Sequence, residues 1–345
     1  MAGRAGATRY CRGVDALKGL AILGIVFYHY YRRLTGTGNS FQWWFGPLPR
    51  HPQEWGYLGA SLFFILSGWA LTASAMAKRA AGRPESSAAD FLRERARRIL
   101  PLYYLSLLLI FAGFFVLTEQ PPAKISLHFL AKATFLHTFS PETIFSYNSS
   151  WWFMGPIAFL YLVYPWLRRG FERNADLALA LCLLAAFLLS HLLAAKPVVA
   201  WHPYLAMGGF PFVKLGEFGF GIWVARTRET SSGKVAALTG LLLLVGWLGL
   251  RSPLLFPLHP LGLCAPLVIV ASWLPLFGLE SLGRYSFGLF LFHRPLIDPW
   301  LAWLRRQGFT DSAWLGPAIF TILVLAMTIP VERAMEYAFR RKTPA

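Results

Sequence analysis

The stretch Arg12-Gly-Val-Asp15-Ala-Leu-Lys18-Gly-Leu-Ala-Ile-Leu-Gly-Ile-Val-Phe-Tyr-His29 is long and apolar enough to be a membrane-spanning helix. It nevertheless carries a carboxylate, an ammonium group and an imidazole. Ionisable groups are costly at such depth, so each is a candidate for function. On a helix of about 100° and 1.5 Å per residue, Lys18 and His29 differ by roughly 20° in direction and about 16 Å in height. They therefore share one face near opposite ends of the span, with Asp15, Ile22 and Ile25 on the same stripe. That geometry suits a long thin ligand with its charged end at Lys18 and its reactive end at His29. It equally suits a histidine snorkelling to the outer headgroups above an Asp-Lys pair at the inner interface.

The whole chain shares the character of this stretch. Its 345 residues are 56% hydrophobic and 14% charged, with 14 Trp, and the mean hydropathy is +0.48. That is too apolar for a soluble domain of this length and defines an all-α polytopic membrane protein. Cys11, Cys182 and Cys264 are an odd number at no metal-like spacing, so neither a disulfide framework nor a zinc site is expected. The apolar run holds Lys18 and His29 and no small-residue cleavage site follows it, so the N-terminal segment reads as a retained span.

Apolar runs at 14–31, 56–76, 100–118, 151–167, 176–195, 205–225, 235–251, 254–277, 284–303 and 313–332 predict a bundle of ten transmembrane helices in one domain, 1–345. On that topology 22 of the 33 Lys and Arg residues fall on the side of the N-terminus and nine on the other, with Lys214 and Arg294 inside spans. The asymmetry places both termini in the cytoplasm and accounts for the net charge of +17 as orientation signal. Nucleic-acid binding would need the cations gathered on one exposed domain, and here they are scattered among short loops.

Three polar segments interrupt the apolar pattern. Residues 1–13 form a basic cytoplasmic tail. Residues 77–99 read as a basic cytoplasmic loop and helix, with Arg93 and Arg97 at helical spacing, suited to anionic headgroups or to a phosphate-bearing ligand. The outer connection 119–150 contains an interfacial helix, in which Ile125, Phe129, Ala133 and Leu136 make an apolar stripe and Lys124, His128 and Lys132 a polar one. His128 and His137 are expected there as wetted surface histidines.

Other polar groups lie at membrane depth. Ser67-Gly68 in the second run suits close helix packing. The fourth run opens with Asn148-Ser149-Ser150-Trp151-Trp152 and closes with Tyr161-Leu-Val-Tyr164-Pro165, an interface belt or a binding wall. Lys214 and Glu217 are spaced to neutralise each other. In the ninth run Ser286 and His293 share a face, Asp298 can pair with Arg294, and Pro295 breaks the helix beside the histidine. On these residues alone, a proton-coupled transporter or flippase of a lipid-linked or small sugar fits as well as an enzyme.

A series of motifs separates the two readings. Asp15-Ala-Leu-Lys18 with His29, Gly59-Ala-Ser-Leu-Phe63-Phe64-Ile-Leu-Ser67-Gly68-Trp69, Arg97-Arg98-Ile-Leu-Pro101-Leu-Tyr103-Tyr104, the segment from Trp152 to Tyr164-Pro165, and Leu282-Gly283-Arg284-Tyr285-Ser286 through His293 resemble, in order and over nearly the whole chain, the membrane-bound acyltransferase-3 family. That family includes bacterial enzymes that acylate O-antigen, peptidoglycan, exopolysaccharide, nodulation factor and macrolide sugars. The resemblance implies a ten-helix bundle in the bacterial cytoplasmic membrane that moves an acyl group, acetyl by preference, from cytoplasmic acyl-CoA to a hydroxyl of a sugar, glycan or glycosylated metabolite. Acyl-CoA would be a co-substrate, with no bound cofactor and no metal. His29 matches the family's essential histidine, the general base of the transfer. Lys18, with Asp15, Arg97 and Arg98, would bind the donor.

Ser67, Trp152, Tyr161, Glu217, Ser286 and His293 would line or support the site, and Ser67 is also a candidate acyl-enzyme nucleophile. Two departures stand out. Lys18 replaces an arginine and loses its bidentate fork. The fourth-run motif, here Met154-Gly155-Pro156-Ile157-Ala158-Phe159, lacks the acidic residue often found there, for which Glu217 could substitute.

Overall fold

The computed structural model describes residues 2–36, 49, 51–84, 86–228, 230–270, 278–309, 312 and 314–340, with side chains from Gly13 onward except at 270, 339 and 340. The end of the eighth apolar run, Arg50 and the basic side chains of both termini lie outside that description. No strand occurs among the described residues.

The apolar runs fall on helical segments, with 205–225 broken and 271–277 outside the described residues. In chain order the α-helices are α1 (Ala2–Leu34), α2 (Leu58–Ala80), α3 (Ala88–Leu117), α4 (Pro122–Ala133), α5 (Met154–Arg173), α6 (Ala175–Leu193), α7 (Lys196–Trp201), α8 (Leu215–Thr227), α9 (Ser232–Gly249), α10 (His259–Val270), α11 (Leu279–Arg284), α12 (Ser286–Arg306) and α13 (Leu315–Arg340). Five of the described helical segments, 52–80, 88–117, 175–193, 232–249 and 315–338, are long and apolar enough to cross a membrane.

The side-chain distribution inverts that of a soluble bundle. On α6 the leucines at 177, 181, 184, 188 and 192 point outward while Cys182, Ala186 and Ser190 point in. Small residues bring backbones together inside. A Cβ on Gly68 of α2 would collide with the Phe218 carbonyl of α8, and one on Gly221 of α8 with the Ile65 carbonyl of α2. Gly68 thus serves the close packing that the Ser67-Gly68 pair suggests.

The run expected as one span over 205–225 is broken. Residues Leu205–Gly209 form a π turn in which Gly208 has φ 132°, residues Pro211–Lys214 a 3-10 turn, and only then does α8 begin. Pro211 has no amide hydrogen to continue a helix, and Gly208 adopts a backbone that other residues avoid. Irregular backbone at depth is tolerated where it is buried or lines a cavity, and Ala206, Met207, Val213 and Lys214 line one.

The connection between α3 and α5 also departs from expectation. α4 forms with Ile125 of its apolar stripe buried and Lys124 exposed, as expected, but His128 at 7% and Lys132 at 0% exposed are buried too, as is His137 beyond the helix at 0%, whereas Leu127, Leu130 and Leu136 are exposed. His128 and His137 are therefore not surface histidines. Lys132 Nζ donates to the Ile144 carbonyl at 2.8 Å, and its own carbonyl accepts from Tyr103 Oη at 2.9 Å. Burial pushes the pKa of both the Lys132 ammonium and the His137 imidazole down. This folded connection delivers residues 148–153 to the interior.

Candidate active site

The fourth apolar run begins with a 3-10 turn, Ser149–Phe153, before α5. Asn148 caps it, its Oδ1 accepting the Ser150 amide at 2.9 Å. Opposite runs α12, where Pro295 removes the amide that would otherwise bond the Leu291 carbonyl four residues back. That freed carbonyl accepts instead from Asn148 Nδ2 at 2.9 Å and from Trp151 Nε1 at 3.2 Å. His137 Nε2 lies 2.9 Å from the Trp151 carbonyl on the other side. The turn is thus pinned to α12 one half-turn before His293.

The result is a cluster assembled from three distant parts of the chain. Ser150 Oγ lies 3.2 Å from His29 Nε2 and 3.3 Å from His293 Nε2, and the two imidazole centroids are 5.4 Å apart. His293 Nδ1 sits 3.0 Å from the Leu289 carbonyl and 3.0 Å from that of Phe290. Only an N–H satisfies carbonyl oxygens, so in the neutral ring the proton is on Nδ1 and the lone pair on Nε2. Beside the cluster, Arg294 Nε donates to Ser149 Oγ at 3.1 Å and Nη1 to Asp298 at 3.3 Å, the pairing its spacing predicts.

His29 and Ser150 open onto a cavity of about 150 Å³, walled by Trp152, Phe153, Phe145 and Phe256. Its far side carries polar groups. Tyr57 Oη lies 2.8 Å from His259 Nε2, whose Nδ1 lies 2.6 Å from the Phe256 carbonyl. Lys214 Nζ donates to Glu217 Oε1 at 2.9 Å, which also accepts from Ser61 Oγ at 2.9 Å. Glu217 therefore reaches the cavity through two residues that line it, and its Oε2 is buried without a hydrogen-bond partner.

A second cavity, about 300 Å³, lies further along α2 and α5 and is basic: Lys78, Arg79, Arg83, Arg95, Arg168 and Arg169 line it with Glu94 and Glu172. Counting along α2 from Ser61 to Ala75, one in each lining, the cavities are roughly 21 Å apart. Between them Phe64 packs on Phe153 at 4.5 Å between centroids, and Tyr161 Oη lies 3.5 Å from Ser67 Oγ.

Of the residues singled out in the sequence, His29 and Trp152 line the first cavity, His293 and Glu217 adjoin it, and Ser67 and Tyr161 lie between the two. The others lie elsewhere. Lys18 is paired with Asp15 at 3.0 Å, and the stripe between Lys18 and His29 is filled by the fully buried Ile22. Arg97 and Arg98 are exposed and line neither cavity, a place taken by Arg95 on the adjoining face of α3. Ser286 starts α12, roughly 10 Å along its axis from His293. Sequence reasoning missed Ser150, Tyr57 and His259. The Asn148-Ser149-Ser150 run and the His259-Pro260 pair were visible, but hydroxyls carry no desolvation signal as strong as an ion's.

The chain matches the family described as "Acyltransferase domain" over residues 12–331. Among curated proteins it is similar to "Putative peptidoglycan O-acetyltransferase YrhL" of Bacillus subtilis (strain 168), with 29% identity over 148 residues, 42% of this chain and 18% of that protein. It is also similar to "Putative O-acetyltransferase SACOL0978" of Staphylococcus aureus (strain COL), with 26% identity over 146 residues, 42% of this chain and 19% of that protein. The matched stretch is thus less than a fifth of the length of those relatives. No solved structure matches the chain.

Proposed function

The chain belongs to the acyltransferase-3 family, and on that premise we propose that it transfers an acetyl group from acyl-CoA to a hydroxyl of a sugar, glycan or glycosylated metabolite. The observation that carries the proposal is His29 at the wall of an apolar, aromatic-lined cavity, held through Ser150 to His293. Acyl transfer needs a base for the acceptor hydroxyl, and a neutral imidazole in a water-poor site supplies one. Aromatic walls with a few polar groups suit a sugar ring. The O-acetyltransferase names of the relatives favour acetyl, and the peptidoglycan in one of them favours a glycan acceptor.

The basic cavity is the place for the nucleotide phosphates, because arginines bind phosphate oxygens with charge-assisted, often paired, hydrogen bonds. The roughly 21 Å between the cavities is a span that an extended pantetheine arm can bridge. Its route then runs between α2 and α5, past Ser67 and Tyr161, rather than along the Lys18 stripe of α1. The asymmetry of basic residues supports placing this cavity and both termini on the cytoplasmic side of a bacterial cell membrane.

The test is mass spectrometry of envelope glycans, lipids and secreted metabolites from cells expressing wild type or His29→Ala. An acetyl mass increment with wild type alone is expected. An increment with both removes His29 from the chemistry, and none with either counts against acyl transfer. For the donor route, Arg95→Gln combined with Arg168→Gln should raise the KM for acetyl-CoA about 10- to 100-fold and leave that for S-acetylpantetheine, which lacks the nucleotide, unchanged.

A further inference from the structure

Building on the acyltransferase reading, we propose that Ser150 is a transient acyl carrier, accepting the acyl group from the thioester before the acceptor hydroxyl takes it. Its hydroxyl has one proton and two imidazole neighbours, at 3.2 and 3.3 Å. His293 has its Nδ1 proton committed to the carbonyls of Leu289 and Phe290, so its Nε2 accepts the Ser150 proton. His29 then donates from Nε2 to Ser150 Oγ and presents its lone pair at Nδ1. The order is directional: carbonyl, His293, Ser150, His29. A serine serving only to orient His29 would need one imidazole. This one has a base on one side and an acid on the other, and it opens onto the cavity.

In the first half-reaction Ser150 Oγ attacks the thioester carbonyl carbon and passes its proton to His293 Nε2. The tetrahedral oxyanion forms beside the Arg294 guanidinium, which holds Ser149 one residue away. The C–S bond breaks, and the leaving thiolate takes the proton from His293. In the second half the acceptor hydroxyl gives its proton to His29 Nδ1 and attacks the seryl ester. The C–Oγ bond breaks, and Ser150 recovers a proton from His29 Nε2. One proton enters His29 at Nδ1 and another leaves at Nε2, so the ring ends as the Nδ1–H tautomer and is reset by proton exchange with water reaching the cavity, with no other reagent consumed. The pinning of the turn to the Leu291 carbonyl keeps Ser150 Oγ between the rings.

The roles of the two histidines divide by half-reaction, which makes the proposal testable. The full chain in lipid nanodiscs is incubated with acetyl-CoA and no acceptor, quenched in acid, and mapped by peptide mass spectrometry. The peptide containing Ser150 is expected to carry acetyl in wild type. In His29→Ala, where deacylation is blocked, occupancy should rise at least about tenfold. In His293→Ala it should fall at least about tenfold, and Ser150→Ala should carry none. Ser150→Cys, a near-isosteric replacement that checks folding, should retain the label as a thioester. Wild type that acetylates envelope products or releases thiol while Ser150 stays unlabelled, in both wild type and His29→Ala, overturns the carrier but not the acyltransferase. Label on His29 instead, or Ser150→Ala keeping more than about a tenth of wild-type turnover, overturns it too. Wild type that neither transfers acetyl nor releases thiol removes the acyltransferase reading and the carrier with it.

Discussion

Two histidines, His293 of α12 and His259 of α10, are built alike and placed differently around one cavity. Each has Nδ1 against a carbonyl of its own preceding turn, and each has Nε2 within reach of a hydroxyl, Ser150 for one and Tyr57 for the other. They differ on the far side of the hydroxyl. Ser150 meets a second imidazole, His29, whereas Tyr57 belongs to a wall that Ser61 and Lys214 continue. A hydroxyl set between two imidazoles has a way for a proton to arrive and a way for it to leave. On the proposed acyl transfer, the first pair is suited to chemistry and the second, on the cavity wall, to holding an acceptor's hydroxyl groups.

That contrast can be broken at several strengths. The largest effect should come from His29→Ala, lowering kcat on the order of 10³-fold with little change in the acceptor's KM, as loss of a general base does; an equal loss in His259→Ala would make the two pairs equivalent. Asn148→Ala, which frees the Ser150 turn from the Leu291 carbonyl, should lower kcat roughly 10- to 100-fold without altering donor binding, since a small misplacement of reacting groups is costly. Glu217→Gln keeps the hydrogen bond from Ser61 and removes the charge facing Lys214. If Glu217 replaces the acid absent from residues 154–159, turnover should drop about tenfold, and unchanged turnover would reduce it to a structural counter-ion. The smallest effect is expected for Tyr57→Phe, about three- to tenfold, the loss of one hydrogen bond, and in the acceptor's KM rather than in kcat. All four are read by steady-state thiol release in nanodiscs against a panel of acceptors.

The positions of most helices were legible because long apolar runs announce themselves. The break at 205–214 was not, although Gly208, Gly209 and Pro211 stand there, because the same residues are tolerated within continuous membrane helices. α4 was placed correctly and buries Ile125 as expected, but the burial extends further round it than its sequence suggests. Its polar stripe was expected to face water; Lys124 does, whereas His128 and Lys132 are buried, and Lys132, like His137 beyond the helix, sits against an interior carbonyl while Leu127 and Leu130 face out. His29 and His293 were legible as ions at depth. Ser150 was not, because its partners lie 121 and 143 residues away and a hydroxyl is cheap to bury. Arg97 and Arg98 had the residue type of donor-binding groups, but only the packing of α3 decides that Arg95 faces the basic cavity.

The crossing of α2 and α8, where Gly68 lies on the Phe218 carbonyl and Gly221 on that of Ile65, also bears on how matter passes this protein. Helices engaged at two points by their main chains cannot rock or slide past each other without prising both contacts apart. A carrier that exposes its cargo first to one side and then to the other depends on such rocking. α2 borders both cavities, so this interlock makes α2 and α8 a single unit of the wall between them. On the proposed acyl transfer, donor and acceptor would meet through a wall whose two helices move only together.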